Sequence, residues 1–235
     1  MSSTSFKFKK FLVLLILLAV PGTLYYLLKE KGQNRYRPLP VFGEKKVANT
    51  FHTRFGKKIP DTIYHVIRDF KYVNQQADPV KFPADSNQIT VFNFFYTRCP
   101  SSCTAMNREM EKVARKYANN RLMRFISISV DPEYDTPEVL SEYSKQFTSV
   151  NKKWDFINAD KDLVFSIAKD DFLVDAITDT TRKLHIIHSP MLILVDPQKR
   201  IRGYYDSSRG NEQTALLIDE IKVLITEELR SVEDR

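Results

Sequence analysis

The two cysteines of the chain lie in one short motif, the C-P-S-S-C sequence of residues 99–103. An almost continuous β-branched and aromatic run at residues 89–96 precedes it, which is typical of a buried strand. A helix is predicted to begin inside the motif and to continue to about residue 117. A helix N-terminus offers free backbone N–H groups and a positive potential, and both favour thiolate over thiol. Because a disulfide across so short a loop adds little stability, the motif predicts redox exchange or metal binding.

The spacing of Cys99 and Cys103 favours a metal. Three residues separate them, whereas a thioredoxin-type oxidoreductase has two. The added residue leaves room for an ion between the sulfurs. Two soft thiolates with one imidazole suit Cu(I), while a structural zinc site needs four protein ligands and a fourth is not obvious.

Four histidines are candidates for the imidazole: His52, His65, His185 and His188. The last two stand in L-H-I-I-H-S-P-M, directly before a predicted strand at residues 191–195. In the fold inferred below, the loop before that strand lies beside the cysteine loop and often carries a cis-proline, for which Pro190 is placed. His188 is placed to face the thiolates, and His185, three residues earlier, is the alternative candidate for the third ligand.

The remaining patterns predict strands that alternate with helices. Residues 135–138 (D-T-P-E) open a helix to about residue 147, with Asp135 as a possible cap and Glu138 completing a capping box. Further strands are predicted at 63–72, 123–130, 154–159, 191–195 and 201–205, and further helices at 161–168 and 212–229. This order indicates an α/β class with a mixed sheet, and a thioredoxin-like fold with N-terminal strand additions fits it.

Residues 11–28 contain no charge and predict a single N-terminal transmembrane helix. A cleaved signal peptide is the alternative, but the run is long and no cleavage-like site follows. Residues 1–31 hold +4 of the net charge of +7, so the folded part lacks the basic excess of a nucleic-acid binder. We expect a membrane anchor at 1–30, a tether and the start of added N-terminal structure at 31–60, and a thioredoxin-like copper-binding domain at 61–235.

Three ordered motifs resemble the Sco (SenC/PrrC) family: residues 94–103 (F-F-Y-T-R-C-P-S-S-C), 129–138 (S-V-D-P-E-Y-D-T-P-E) and 188–197 (H-S-P-M-L-I-L-V-D-P). The resemblance covers roughly residues 60–230. It implies a membrane-anchored, thioredoxin-fold protein that binds copper and helps to assemble the binuclear copper centre of cytochrome c oxidase. It also implies copper ligation by Cys99, Cys103 and His188, because the strand and Asp-Pro that follow His188 match the family's spacing.

The resemblance implies less about the other positions of these motifs. Asp131 and Asp135 fall on the family's Asp-Pro signature, either as turn and capping residues or as partner contacts. The sequence departs from the family at Thr104, Ile187 and Tyr134, where Pro, Asp and Arg are usual. These departures bear on copper affinity more than on whether copper binds. A polar stretch at residues 170–183 is interpreted as a loop before the histidine, either a mobile loop that lets His188 reach or leave the metal or a plain solvated loop.

Three functions are compatible with the motifs. The first is a copper chaperone that delivers one copper to the copper-bearing oxidase subunit, with an unspecified upstream donor. Its domain is expected on the periplasmic side of the cytoplasmic membrane. The second is a thiol–disulfide reductase of the oxidase cysteines, in which Cys99 attacks and Cys103 resolves. The third, a peroxidase using Arg98 and Thr97, is disfavoured by the cysteine spacing.

Overall fold

The computed structural model describes residues 3–31, 38–54, 56–85, 87–100, 102–150, 153–174, 177–179, 184–186 and 189–233. The chain divides into two compact units, Met1–Arg37 and Pro38–Arg235. His188 lies outside the described residues, and of His185 only the backbone is described.

The first unit contains one helix, α1 (Ser3–Lys31), which includes the uncharged residues 11–28 and Pro21. Among the residues that the structure describes, no helix combines the length and the apolarity needed to cross a membrane. The membrane-spanning role of residues 11–28 therefore stays a prediction.

The second unit is built around a mixed sheet of seven strands in the order β11-β10-β5-β6-β7-β3-β4. The strands of the unit are β1 (Lys45–Arg54), β2 (Lys57–Tyr64), β3 (Phe70–Asn74), β4 (Pro79–Phe82), β5 (Ile89–Phe95), β6 (Met123–Ser129), β7 (Trp154–Asn158), β8 (Ile177–Asp179), β9 (Leu184–Ile186), β10 (Met191–Val195) and β11 (Ile201–Asp206). Strands β5, β6 and β7 are parallel, and the other pairings are antiparallel. The predicted mixed α/β sheet is confirmed.

The helices of this unit are α2 (Ser102–Lys116), α3 (Pro137–Ser144), α4 (Lys161–Ser166) and α5 (Asn211–Glu233). All seven residues of β5 are buried, because apolar clusters cover both faces of the sheet. Val91 and Phe95 point into the cluster that includes α2 and α5, whereas Phe92 and Phe94 point into the opposite one. Period-two alternation thus gives a strand with two apolar faces, as its continuous apolar sequence predicted.

Several local predictions were wrong in detail. Thr136, not Asp135, caps α3, because its hydroxyl accepts a hydrogen bond from the Val139 N–H. Helix α3 ends at Ser144 and continues as a 3₁₀ turn, and α4 continues as a π turn (Ile167–Asp171). The single strand predicted at residues 63–72 is the end of β2 and the start of β3, with a break between them.

Residues 31–60, predicted as a tether and the start of added N-terminal structure, hold most of a hairpin. Strands β1 and β2 pair with each other and form a two-stranded sheet of their own. The polar stretch at 170–183, predicted as a loop, contains β8, which pairs with β9 just beyond it. Within the same stretch Asp171 is buried and forms an ion pair with Arg68 at 2.5 Å.

Candidate metal centre

The two thiols lie where β5 leads into α2. Cys99 is on the connecting loop and half-buried, whereas Cys103 is in the first turn of α2 and buried. The Cys103 backbone N–H donates to Cys99 Sγ at 3.3 Å, and Ser102 Oγ lies 3.3 Å from the same sulfur. Cys99 Sγ therefore sits at the N-terminus of α2, as the sequence predicted, where backbone N–H groups stabilise a thiolate.

Cys103 differs from its partner in environment. Burial, and next the hydrogen bond with Cys99, raise the pKa of the Cys103 thiol to about 12. At this position burial outweighs the helix N-terminus, so Cys103 stays a thiol at neutral pH in the absence of metal. Binding of a metal as a thiolate must therefore release a proton from Cys103.

A cavity of about 230 Å³ lies against both thiols. Its wall combines the cysteine loop, the start of α2, the residues before β10 and the turn after β11: Phe94, Tyr96, Cys99, Ser102, Cys103, Met106, Ser189, Pro190 and Ser208. The Pro190 carbonyl accepts hydrogen bonds from the Ser207 N–H at 2.9 Å and from Ser207 Oγ at 2.6 Å, which fixes the end of the histidine-bearing loop. The predicted neighbourhood of that loop and the cysteine loop is thus present.

These contacts do not give the position of His188, the predicted third ligand. His188 lies outside the described residues, but its neighbour Ser189 lines the cavity. In the described part of the chain the cis peptide bond precedes Pro83, not Pro190. Among the described residues, no group of three or more His, Cys, Asp or Glu is arranged to hold a metal ion. His52 instead pairs with Asp61 at 2.6 Å, and His65 Nε2 lies 2.7 Å from the Asp171 carbonyl oxygen.

Met106 is a feature of the cavity that the sequence reasoning missed. It lies one turn after Cys103 on α2, is buried, and lines the cavity with both thiols. The signal was present in the sequence, because residues three apart on a helix share a face. A thioether is a soft ligand, so this wall of the cavity suits Cu(I) rather than a hard cation.

The two aspartates of the Asp-Pro signature, Asp131 and Asp135, hydrogen-bond to the loop that carries Cys99. Asp135 is fully buried and accepts hydrogen bonds from the Thr97 N–H at 3.1 Å, from the Thr97 hydroxyl, and from Ser129 Oγ at 2.5 Å. Burial raises the pKa of Asp135, although the three hydrogen bonds to its carboxylate oppose that shift. Thr97 is two residues before Cys99, so Asp135 acts on the position of that loop.

A second contact joins the same two loops. Arg98 donates to Asp131 at 2.5 Å and lies over the Tyr134 ring, 4.0 Å from its centroid. The Tyr134 ring supports Arg98 by a cation–π contact. Both aspartates of the signature therefore hold the loop that carries Cys99.

Behind α2 a polar network runs into the core. Asn93 donates to Asn107 at 2.7 Å, and Asn107 donates to the Tyr143 hydroxyl at 3.1 Å. Burial raises the pKa of Tyr143, so its phenol stays protonated beside Cys103.

Comparison with known proteins agrees with this geometry. The family model described as SCO1/SenC matches residues 60–225, more than half of the chain. The chain belongs to the SCO1/SenC family. A SCO1 protein homolog of Bacillus subtilis is 24% identical over 170 residues, which cover 70% of this chain and 86% of that protein. A SCO2-like protein of Rickettsia typhi is 26% identical over 139 residues, 59% of this chain and 61% of that protein.

Solved structures of Sco proteins share the fold. A SCO1/SenC family lipoprotein from Bacillus anthracis superposes with a TM-score of 0.61 at 23% identity, covering 68% of this chain and 95% of that one. Arabidopsis thaliana ScoI with copper bound gives a TM-score of 0.55 at 21% identity, covering 71% and 99%. The likeness confirms the thioredoxin-like Sco architecture of the second unit.

Proposed function

We propose that this protein binds one copper ion through Cys99, Cys103 and His188 and delivers it to the binuclear copper centre of cytochrome c oxidase. One observation carries the proposal. The residue next to His188 lines the same small cavity as both thiols. We infer that the imidazole of His188 completes a three-ligand site with the two thiols.

The chemistry of the cavity supports copper as the cargo. Two thiols and a thioether face it, and soft sulfur ligands select Cu(I) over hard divalent cations. The relatives fit the same cargo, since family members from Arabidopsis thaliana and Bradyrhizobium japonicum were solved with copper bound. A relative named BsSco is described as a member of the Sco family of cytochrome c oxidase assembly proteins.

Copper uptake requires both cysteines to be reduced and deprotonated. Both are free thiols in this structure, and each must lose a proton to bind as thiolate. Transfer to the oxidase then needs stepwise exchange of these ligands for those of the acceptor. Cys99 is the more exposed of the pair, so it is the ligand that an incoming acceptor reaches first.

Membrane attachment is part of the proposal. The uncharged residues 11–28 lie within one helix, and a Bacillus anthracis relative is described as a lipoprotein. We place the second unit on the periplasmic side of the cytoplasmic membrane, where copper reaches the oxidase. Attachment raises the effective concentration of donor and acceptor without adding contacts between them.

A competition titration tests copper binding. The full-length chain, reduced and anaerobic, is titrated with Cu(I) against a chromogenic chelator, and one equivalent is expected to bind tightly. Cys99→Ser and Cys103→Ser should each weaken binding by about a hundredfold or more, because each removes a primary ligand. Exposed Ser208→Ala, which changes the cavity wall without removing a soft donor, is the control. Stoichiometric binding that survives both cysteine changes contradicts the proposal.

Thiol–disulfide exchange is the second candidate, favoured by the unequal exposure of the cysteines. Half-buried Cys99 is accessible to a substrate disulfide, and buried Cys103 lies directly behind it. Cys99 thiolate would attack the substrate disulfide, and Cys103 would then displace the second substrate thiol, leaving a Cys99–Cys103 disulfide. The substrate gains the two electrons that this dithiol loses. A Cys103→Ser variant should accumulate the mixed disulfide with an oxidised oxidase-subunit peptide, and its failure to do so excludes this function.

A further inference from the structure

The β1–β2 hairpin is firmly attached at its base. The Phe42 N–H donates to the Ile201 carbonyl at 2.9 Å, and the His65 N–H donates to the Glu44 carbonyl at 3.1 Å. The Phe42 ring packs edge-on against Tyr204, with centroids 5.2 Å apart. These contacts hold the base of the hairpin at β11. Among the described residues, its two strands pair only with each other.

Beyond this base the hairpin exposes large apolar side chains. The exposed fraction is 76% for Val47, 62% for Phe51, 56% for Ile63 and 38% for Ile59. A two-stranded hairpin is marginally stable in water, and a cluster of exposed apolar side chains marks an interaction surface. The copper site does not explain this exposure, because none of these residues lines its cavity.

The strand register divides these side chains between two faces. Residues paired across an antiparallel ladder share a face, and side chains alternate along each strand. The pairs Val47 with Thr62, Phe51 with Pro60 and Thr53 with Lys58 therefore share one face, called here the Phe51 face. Its members are Lys45, Val47, Phe51, Thr53, Lys58, Pro60, Thr62 and Tyr64. The opposite face holds Lys46, His52, Arg54, Lys57, Ile59, Asp61 and Ile63.

Charge distinguishes the two faces. Hydrogen bonds from Thr50 and then from His52 lower the pKa of Asp61, so the opposite face carries a carboxylate at neutral pH. The Phe51 face has no acidic member and carries an exposed lysine at each end, Lys45 and Lys58, with Val47 and Phe51 between them. The opposite face also carries basic residues, Lys46 and Lys57, so the Phe51 face differs in lacking a carboxylate and in the greater exposure of its apolar side chains.

We propose that the Phe51 face binds the surface of an anionic phospholipid bilayer. Lysine is depleted in protein–protein interfaces, whereas lysines beside aromatic and aliphatic side chains are typical of surfaces that lie in the lipid headgroup region. The lysine stems can extend along the apolar side chains and keep their ammonium groups at the phosphates. The inference rests on the membrane attachment in the proposed function, since the hairpin follows α1 after only residues 32–44.

The function of such a contact follows from where the hairpin is attached. Its base hydrogen-bonds to Ile201 in β11, whose antiparallel neighbour β10 begins directly after the residues that line the copper cavity. A hairpin held on the bilayer would therefore limit the orientations of the copper site above the membrane. Fewer orientations favour productive encounters with an acceptor that lies in the same membrane.

Fluorescence quenching tests the contact in the full-length chain reconstituted into vesicles. Phe51→Trp is the reporter, and the native Trp154 gives a constant background because it is only 2% exposed. In phosphatidylcholine–phosphatidylglycerol vesicles, brominated lipids should quench the reporter about twofold, and in pure phosphatidylcholine much less. Ile63→Trp, on the opposite face of the same hairpin, is the matched control and should be quenched much less than Phe51→Trp. Lys45→Glu with Lys58→Glu should abolish quenching of the Phe51→Trp reporter.

Several results would overturn the proposal. It is wrong if the chain floats with the vesicles while the Phe51→Trp reporter stays unquenched, and wrong if Ile63→Trp is quenched equally. Burial of the reporter in detergent without lipid, accompanied by dimers, assigns the face to a second copy instead. Failure of the chain to float with any vesicle removes the membrane part of the proposed function as well. Copper titration of the same variants reports on the metal site separately and should be unchanged.

Discussion

Asp135 accepts hydrogen bonds from both the backbone N–H and the hydroxyl of Thr97, which joins the loop before α3 to the loop that carries Cys99. The two loops follow β6 and β5, which are adjacent parallel strands, so they meet at the same edge of the sheet. Binding residues commonly gather at that edge in α/β sheets. The position of the first thiol thus depends on a buried carboxylate more than thirty residues away along the chain.

Asp135→Asn should loosen this arrangement. The amide replaces one acceptor oxygen with a donor, so at least one of the Thr97 and Ser129 donors loses its partner. We expect a loss of unfolding free energy of about 1–3 kcal/mol, measured by urea denaturation, and weaker Cu(I) binding. Asp131→Asn is the comparison, because it weakens a pair with the half-exposed Arg98 and should cost at most about 1 kcal/mol. Equal effects of the two changes would show that Asp135 has no special role.

Met106→Leu should weaken retention of Cu(I). Leucine keeps the volume and apolarity of methionine but removes the soft sulfur that lines the cavity. We expect Cu(I) to pass to a competing chelator about threefold faster or more, with little change in stability. Met110→Leu changes a buried methionine one turn further along α2, outside the cavity wall, and should leave the transfer rate unchanged. If both variants behave like the parent, Met106 serves only in packing.

Cys103 should make the stability of the metal-free protein fall at alkaline pH. Its pKa is 9.0 without burial and about 12 when folded, so above pH 9 the unfolded chain releases a proton that the folded protein keeps. The stabilising contribution is complete below that pH and is lost as the pH rises toward about 12. The loss is at most about 1.4 kcal/mol per pH unit. Urea denaturation of the parent and of Cys103→Ser at pH 7, 9 and 10.5 isolates it; a constant difference between them contradicts the prediction.

Arg202 should contribute strongly to the stability of the second unit. Its buried guanidinium pairs with Asp196 at 3.1 Å and Glu227 at 2.6 Å, and donates to the Leu39 carbonyl at 2.8 Å. Arg202→Met removes this donor from buried Asp196, which keeps Arg200, and from half-buried Glu227, which keeps the Leu39 N–H. We expect a loss of about 3–5 kcal/mol in unfolding free energy, because a buried carboxylate loses one charged partner. The exposed pair of Arg209 with Glu212 gives the control, since Arg209→Met should cost less than about 1 kcal/mol. Similar midpoints for both variants in thermal denaturation would contradict this assignment.

Much of the sheet could be predicted because its strands have two buried faces. The strands β5 and β6 were found within one residue of their ends, since continuous β-branched and aromatic runs leave few other folds for such segments. The β1–β2 hairpin was not separated from the tether, because its charged and apolar side chains do not alternate in the way that a half-buried strand requires. Exposure on both sides removes the signal on which the prediction depends.

Within the site, the sequence predicted that the two cysteines lie together but not the environment of each thiol. Cys99 and Cys103 were identified from spacing alone, yet the burial that raises the pKa of Cys103 depends on the packing of the whole cluster around it. Asp135 was interpreted as a cap because Asp, Thr and Ser all serve that role, and only the fold decides that Thr136 takes it. Asp135 instead accepts a hydrogen bond from Thr97, a contact between distant residues that no local sequence pattern predicts.

The role of His188 is the central claim, and X-ray absorption at the copper edge tests it most directly. The full-length chain is loaded with one equivalent of Cu(I), and its spectrum is compared with those of His188→Ala and His185→Ala. The account predicts a nitrogen ligand that is lost in His188→Ala and kept in His185→Ala, with sulfur ligation in all three. A nitrogen contribution that persists in His188→Ala, or one that disappears in His185→Ala alone, would contradict it.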